Sequence, residues 1–241
     1  FKAVRGVYSV SQSALSHFLD TYAPYLPAQT RLAVIPNCVD TQRFLPCALR
    51  RAGTRERFGI PGNALVIGSV ARLAPQKRLH AVLDLGAALL TSFPHLYVLI
   101  AGTGPLEQEL KAHARASGIG ERVIFAGHVD AVEDLMPALD LHLLLSRNEG
   151  FGIATIEALS CGVPVVGTDV PGTADVLRGS QGGMLVPVDD QSALLHTVAA
   201  LLADPERRAA MGRQGRIEVE HRFSPQRMES ELRAFYAGIV P

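Results

Sequence analysis

Residues 141–166 read LHLLLSRNEGFGIATIEALSCGVPVV. The first five, Leu141 to Leu145, are an apolar run of strand length; a helix with apolar positions begins near Ile153, and Val163 to Val166 is strand-like again. The order is strand, turn, helix, strand. Runs of the same kind lie on either side, at Val66 to Val70, Leu96 to Ala101, Val123 to Phe125 and Met184 to Val186, with helix-like stretches between them. Near-continuous Val, Ile and Leu, rather than period-two patterning, marks strands buried on both faces of a parallel sheet. Residues 62–220 are therefore expected to form one α/β domain, a doubly wound, Rossmann-like parallel sheet.

Ahead of that domain, Val7 to Val10 reads as a strand, Ser11 to Tyr22 as a helix opened by a Ser cap, and Leu32 to Ile35 as a second strand. Residues 1–45 are too few for a domain. Prolines and glycines at Pro46, Gly53, Gly59, Pro61 and Gly62 punctuate an Arg-rich stretch, so residues 46–61 are expected to be a linker between two lobes. After Phe223, Ser224-Pro225 looks like a helix cap with proline in the first turn, so 221–241 should hold a final helix.

The 241 residues carry 23 Lys+Arg against 23 Asp+Glu, which argues against a nucleic-acid surface and makes any anion site a local one. Lysine occurs only at positions 2, 77 and 111. Cys38, Cys47 and Cys161 have no metal-ligand spacing and read as reduced thiols of a cytosolic protein. No apolar run of ~18 residues or more occurs, so neither a signal peptide nor a membrane span is expected. The chain opens on Phe1 rather than Met, from which an upstream segment is expected to have been removed.

In the opening stretch, Gly150 and Gly152 fall at the turn from strand to helix. Glycines let backbone approach a ligand closely, and the free N–H groups of Ile153 and Ala154 at the helix start would attract a phosphate. Glu149 precedes the glycines and Glu157 lies further into the helix. Carboxylates beside a phosphate site suit hydroxyl partners such as ribose and hexose; read alone, the two are a solvated loop residue and a helix-surface residue. The strand Val66 to Val70 runs into ARLAPQK, placing Arg72 and Lys77 at the carboxyl edge of a parallel sheet, where ligands bind. Two cations there could neutralise a diphosphate, and no Asp-x-Asp sequence is present to hold a divalent metal, so the site is expected to be metal-free. Taken singly, each is an ordinary loop cation.

After Leu96 to Ala101, AGTGPLEQ at 101–108 partly matches the dinucleotide fingerprint, but Glu107 stands where its third glycine belongs, and tight-turn geometry accounts for Gly102 and Gly104. His80, His113 and His196 fall in expected helices and read as structural. His128, in FAGHVD at 125–130, lies at another strand's carboxyl end, where Val129 and Asp130 could contact a base.

Five segments together, IPNCVD at 35–40, ARLAPQK at 71–77, AGTGPL at 101–106, FAGHVD at 125–130 and EGFGIATIEALSCGVPVV at 149–166, resemble the retaining glycosyltransferases of family 4. The resemblance implies the two-lobed GT-B fold, with 62–220 as its C-terminal, nucleotide-sugar-binding lobe. Residues 1–45 would then be the last strand-helix-strand of the N-terminal acceptor lobe, and the final helix would cross back onto that lobe. By the same resemblance, Arg72 and Lys77 contact the donor diphosphate, Glu149 faces the transferred sugar, the backbone from Gly150 through Phe151, Gly152 and Ile153 to Ala154 meets sugar and phosphate, and Glu157 binds ribose. Gly104, Leu106, Val129 and Asp130 join the donor-binding residues. The implied function is transfer of a hexosyl group from a UDP- or GDP-sugar to an acceptor hydroxyl on a sugar, a lipid-linked sugar or a small molecule. No further cofactor is implied, and peripheral membrane contact would fall to the acceptor lobe. Cys38 departs from the family's usual glycine in the IPNGVD turn. Two rivals differ in class: a nucleotide-sugar-binding module that cannot transfer alone, and a glycoside hydrolase using Glu149 and Glu157 as acid and base across a sugar.

Overall fold

The computed structural model describes residues 3–239. In chain order the elements are β1 (Gly6–Ser9), α1 (Gln12–Tyr22), β2 (Arg31–Val34), α2 (Ala48–Arg57), β3 (Leu65–Val70), α3 (Leu79–Leu89), β4 (Leu96–Ala101), α4 (Glu107–Ala116) and β5 (Val123–Gly127). There follow α5 (Val132–Leu135), β6 (Leu141–Leu144), α6 (Ile153–Ser160), β7 (Val165–Thr168), α7 (Thr173–Leu177), β8 (Gly183–Val186), α8 (Gln191–Ala203), α9 (Pro205–Arg222) and α10 (Pro225–Ala237).

Six strands form one sheet in the order β5-β4-β3-β6-β7-β8, every pairing parallel. Successive strand residues point to opposite faces, and here both faces are apolar. Ile67, Val98, Ile100, Leu141 and Leu143 enter one core with α3, α4 and α8, while Val66, Leu99, Ala101 and Val165 enter another with α6 and α9. This is the doubly wound parallel α/β sheet that the apolar runs require. The chain proceeds outward from β3 through β4 to β5, then returns to lay β6 on the other side of β3. The reversal opens a crevice beyond the carboxyl ends of β3 and β6, the place where ligands bind in open α/β sheets.

Strand β7 starts at Val165, later than the apolar run, because Pro164 has no N–H to give a ladder; its carbonyl instead accepts from His142 N–H at 3.0 Å. The stretch 46–61 is more than a linker. It contains α2, whose Arg55 side chain is buried and donates to the carbonyls of Gly62, Ala64 and Ala138 and to Asp140 at 2.9–3.1 Å. Strands β1 and β2 form a separate parallel pair, with α1 between them, capped by Ser11 Oγ accepting from Ala14 N–H. Helix α10 returns to this pair: Phe235 packs edge-on against Tyr8 at 5.6 Å and lies under the Arg31 guanidinium.

Candidate functional site

Two loops flank the crevice, the one leaving β3 (residues 71–78) and the one leaving β6 (residues 145–152). They are fastened together. Arg147 N–H donates to the Gln76 carbonyl at 2.8 Å, and the Lys77 ammonium pairs with the Glu149 carboxylate. Glu149 also accepts from Ser146 Oγ at 2.6 Å, and its side chain is only 9% exposed, so the charge is kept inside the loop by these partners. From the far side, the loop after β7 presses Gly172 on Glu149: a Cβ at Gly172 would sit 2.3 Å from the Glu149 carbonyl oxygen, and its φ of +82° also suits only glycine.

Gly152, at φ +85°, turns the chain into α6. No side chain caps that helix, and among the described residues the Ile153 and Ala154 N–H groups have no acceptor. These amides face a cleft of about 370 Å³ lined by Lys77, Glu149, Gly150, Phe151, Gly152, Ile153 and Ala154, together with Val10 and Asn37. The Phe151 ring itself is core, packed edge-on against Phe223. Arg72 stands exposed on the same loop as Lys77 and has no side-chain hydrogen bond or ion pair among the described residues. Beneath, His142 on β6 is fully buried; burial, and then the charge of Lys77, push its imidazole down to about 4, so it is neutral under the lysine.

The remaining expected residues lie elsewhere. Glu157 does not line the cleft; its electrostatic neighbours are Arg43 and Glu133, which pair with each other at 2.7 Å. Burial, opposed by Arg43 and reinforced by Glu133, holds the Glu157 carboxyl above the usual carboxylate range. Val129 and Asp130 line a separate hollow of about 260 Å³ with Thr54, Arg57 and His128. Gly104 sits against the β3 loop, where a Cβ would lie 2.4 Å from the Leu73 carbonyl oxygen, and Leu106 N–H donates to that same carbonyl at 3.1 Å. Close approach of two loops, beyond the tight turn itself, is what requires these glycines. Among the described residues no three His, Cys, Asp or Glu side chains converge as metal ligands, and the three cysteines are unpaired thiols.

Sequence reading missed Val10 and Asn37, because both come from the strand-helix-strand segment assigned to another lobe, and it missed Gly172, whose only signal is its Pro171-Gly172 turn.

A parallel doubly wound sheet with an uncapped helix start and cations at its reversal point defines the class of open α/β domains whose ligand crevice lies at the strand-order reversal. Residues 51–218 match the family described as "Glycosyl transferases group 1", and the chain belongs to that family. It is 30% identical over 214 residues to the lipopolysaccharide core biosynthesis mannosyltransferase LpsB of Rhizobium meliloti (strain 1021), covering 86% of this chain and 61% of that protein. It is 34% identical over 218 residues to the GDP-mannose-dependent alpha-(1-6)-phosphatidylinositol monomannoside mannosyltransferase of Mycolicibacterium smegmatis, covering 86% of this chain and 55% of that one. The chain thus spans little more than half the length of these relatives. Among solved structures, Anabaena Alr3699/HepE in complex with UDP and glucose superposes with a TM-score of 0.86 at 22% identity over 97% of this chain and 63% of that chain. The C-terminal domain of the group 1 glycosyl transferase LpcC from Francisella tularensis superposes with a TM-score of 0.70 at 22% identity over 78% of this chain and 100% of that domain. The fold is that of the C-terminal lobe of GT-B glycosyltransferases. No helix among the described residues is long and apolar enough to cross a membrane.

Proposed function

We propose that the chain is the donor-binding lobe of a retaining, metal-independent hexosyltransferase of family 4. In this reading it holds a UDP- or GDP-sugar and presents it to an acceptor hydroxyl on a sugar, a lipid-linked sugar or a small molecule. The observation that carries the reading is the Lys77–Glu149 pair set beside the uncapped amides of Ile153 and Ala154 at the sheet's reversal point. The demand of the reaction is charge on the departing diphosphate. Arg72, Lys77 and the start of α6 supply fixed positive potential there, without reorganisation at the moment of bond breaking. Glu149, already ordered by Ser146 and Lys77, faces the sugar hydroxyls. Where the nucleotide runs on beyond this cleft, Glu157 takes the ribose, and Gly104, Leu106, Val129 and Asp130 the outer part of the nucleotide. The names of the relatives support both guanosine and uridine donors as probes. The acceptor attacks on the face the diphosphate leaves, which needs no protein nucleophile. The domain limits of the proposal are 1–45 for acceptor-lobe elements, 46–61 between lobes, 62–220 for the donor lobe and 221–241 for the crossing helix, in a cytoplasmic enzyme that touches membranes only peripherally.

A hydrolase would need two carboxyls facing one cavity across a sugar, whereas only Glu149 lines the cleft. A non-transferring module remains the competing reading, and one experiment separates them. UDP and GDP are titrated onto the chain and onto Lys77→Ala, with donor turnover measured in the complete enzyme. Transfer by the parent and a loss of about 10²–10³-fold in Lys77→Ala is the expected result. Binding without transfer means a module, and no binding of either nucleotide rejects both.

A further inference from the structure

Among the described residues only two that are not glycine have a left-handed backbone, Arg78 at φ +49° and Asp189 at φ +66°. They are partners: Arg78 Nη2 meets Asp189 Oδ1 at 2.5 Å. Asp189 also takes Arg147, with Nη1 at 2.9 Å from Oδ2 and Nη2 at 3.0 Å from Oδ1. One carboxylate in the loop after β8 therefore holds two guanidiniums from the two loops that flank the crevice. Arg78 directly follows Lys77, and Arg147 lies two residues before Glu149. Arg78 Nη1 also approaches the Leu145 carbonyl at 3.4 Å.

Helix capping does not explain Asp189. The cap of α8 is its neighbour, Asp190, which accepts from Ala193 N–H at 2.8 Å. The Asp189 side chain is 53% exposed and that of Arg147 59%, and a pair so hydrated contributes little to folding, whereas Arg78, 13% exposed, has Asp189 as its carboxylate partner. A left-handed backbone is costly for a residue with a β-carbon and free for glycine. What the carboxylate does uniquely is neutralise two like charges that would otherwise repel across the join between the loops.

We propose that Asp189 is a positioning residue which, through Arg78 and Arg147, holds Lys77 and Glu149 in register. Its catalytic consequence rests on the donor-lobe reading above; its structural consequence does not. Lysine occurs only at positions 2, 77 and 111, so limited acylation followed by mass spectrometry reads Lys77 against Lys111 as an internal standard. In Asp189→Gly, which relieves the backbone, and in Asp189→Asn, which keeps shape and tolerance of the left-handed region, Lys77 is expected to acylate severalfold faster relative to Lys111. The melting temperature should stay close to the parent's in Asp189→Gly, where relief of the backbone offsets the lost partner of Arg78. Asp204→Ala, which removes the cap of α9, should lower the melting temperature and leave the ratio unchanged. In the complete enzyme the Asp189 variants should lose about tenfold in kcat with KM for the donor little changed. An unchanged Lys77 to Lys111 ratio overturns the proposal, as does a ratio that moves only in step with lost stability in both variants. A changed ratio in a chain that binds neither UDP nor GDP keeps Asp189 as the positioning residue and removes the donor reading instead.

Discussion

Glu157 is the residue at which the proposed ribose contact and stability pull apart. Its carboxyl is held above the ordinary range chiefly by burial, so at neutral pH the folded chain carries a charge it would shed more readily than the unfolded chain does. From the unfolded carboxylate value near 4.3 up through the raised folded value, the native state binds more protons than the unfolded state, and stability falls as pH rises. Glu157→Gln should therefore melt above the parent at pH 7, the gap closing as pH falls to about 4, while its affinity for UDP or GDP drops. A lower melting temperature at pH 7 with nucleotide affinity unchanged would contradict both roles. Residue type and spacing located Lys77, Glu149 and the two glycines, because loops at strand ends and helix starts are written locally. That Lys77 and Glu149 bind each other, 72 positions apart, or that Glu157 lies among Arg43 and Glu133, is a matter of tertiary partners on which local pattern is silent. Asp189 escaped for the same reason.

At the scale of elements, the least legible was α2. Its breakers Gly53, Gly59, Pro61 and Gly62 read as linker, and its few apolar residues give no stripe. The helix is instead fixed by Arg55, a buried guanidinium spread over three carbonyls and Asp140, whose Oδ2 also accepts from Val66 N–H at 2.7 Å at the start of β3. Removing Arg55 strands buried carbonyls and leaves Asp140 to Arg51 alone, at 2.7 Å. Arg55→Ala should cost about 3–5 kcal/mol in urea unfolding; a cost below about 1 kcal/mol, the range of an exposed pair, would mean that α2 is held by something else. The strands were legible because burial on both faces forces apolar runs, and their ends shifted only where chemistry intervened, as at Pro164.

For the whole molecule, strand order turns a list of motifs into a crevice. The reversal between β3 and β6 brings together loops that are far apart in sequence, and the β1–β2 unit adds Val10 and Asn37 to the same wall while α10 ties that unit down through Phe235. The order of the apolar runs implied a parallel sheet; which strands are neighbours is set by tertiary packing. The central claim is that this crevice receives a nucleoside diphosphate. The most direct measurement is the amide spectrum of the ¹⁵N-labelled chain during titration with UDP and with GDP. The expected result is that at least one of them shifts the amides of Lys77 and of Gly150 to Ala154. Shifts confined to the hollow lined by Arg57, His128 and Asp130, or none with either nucleotide, would contradict it.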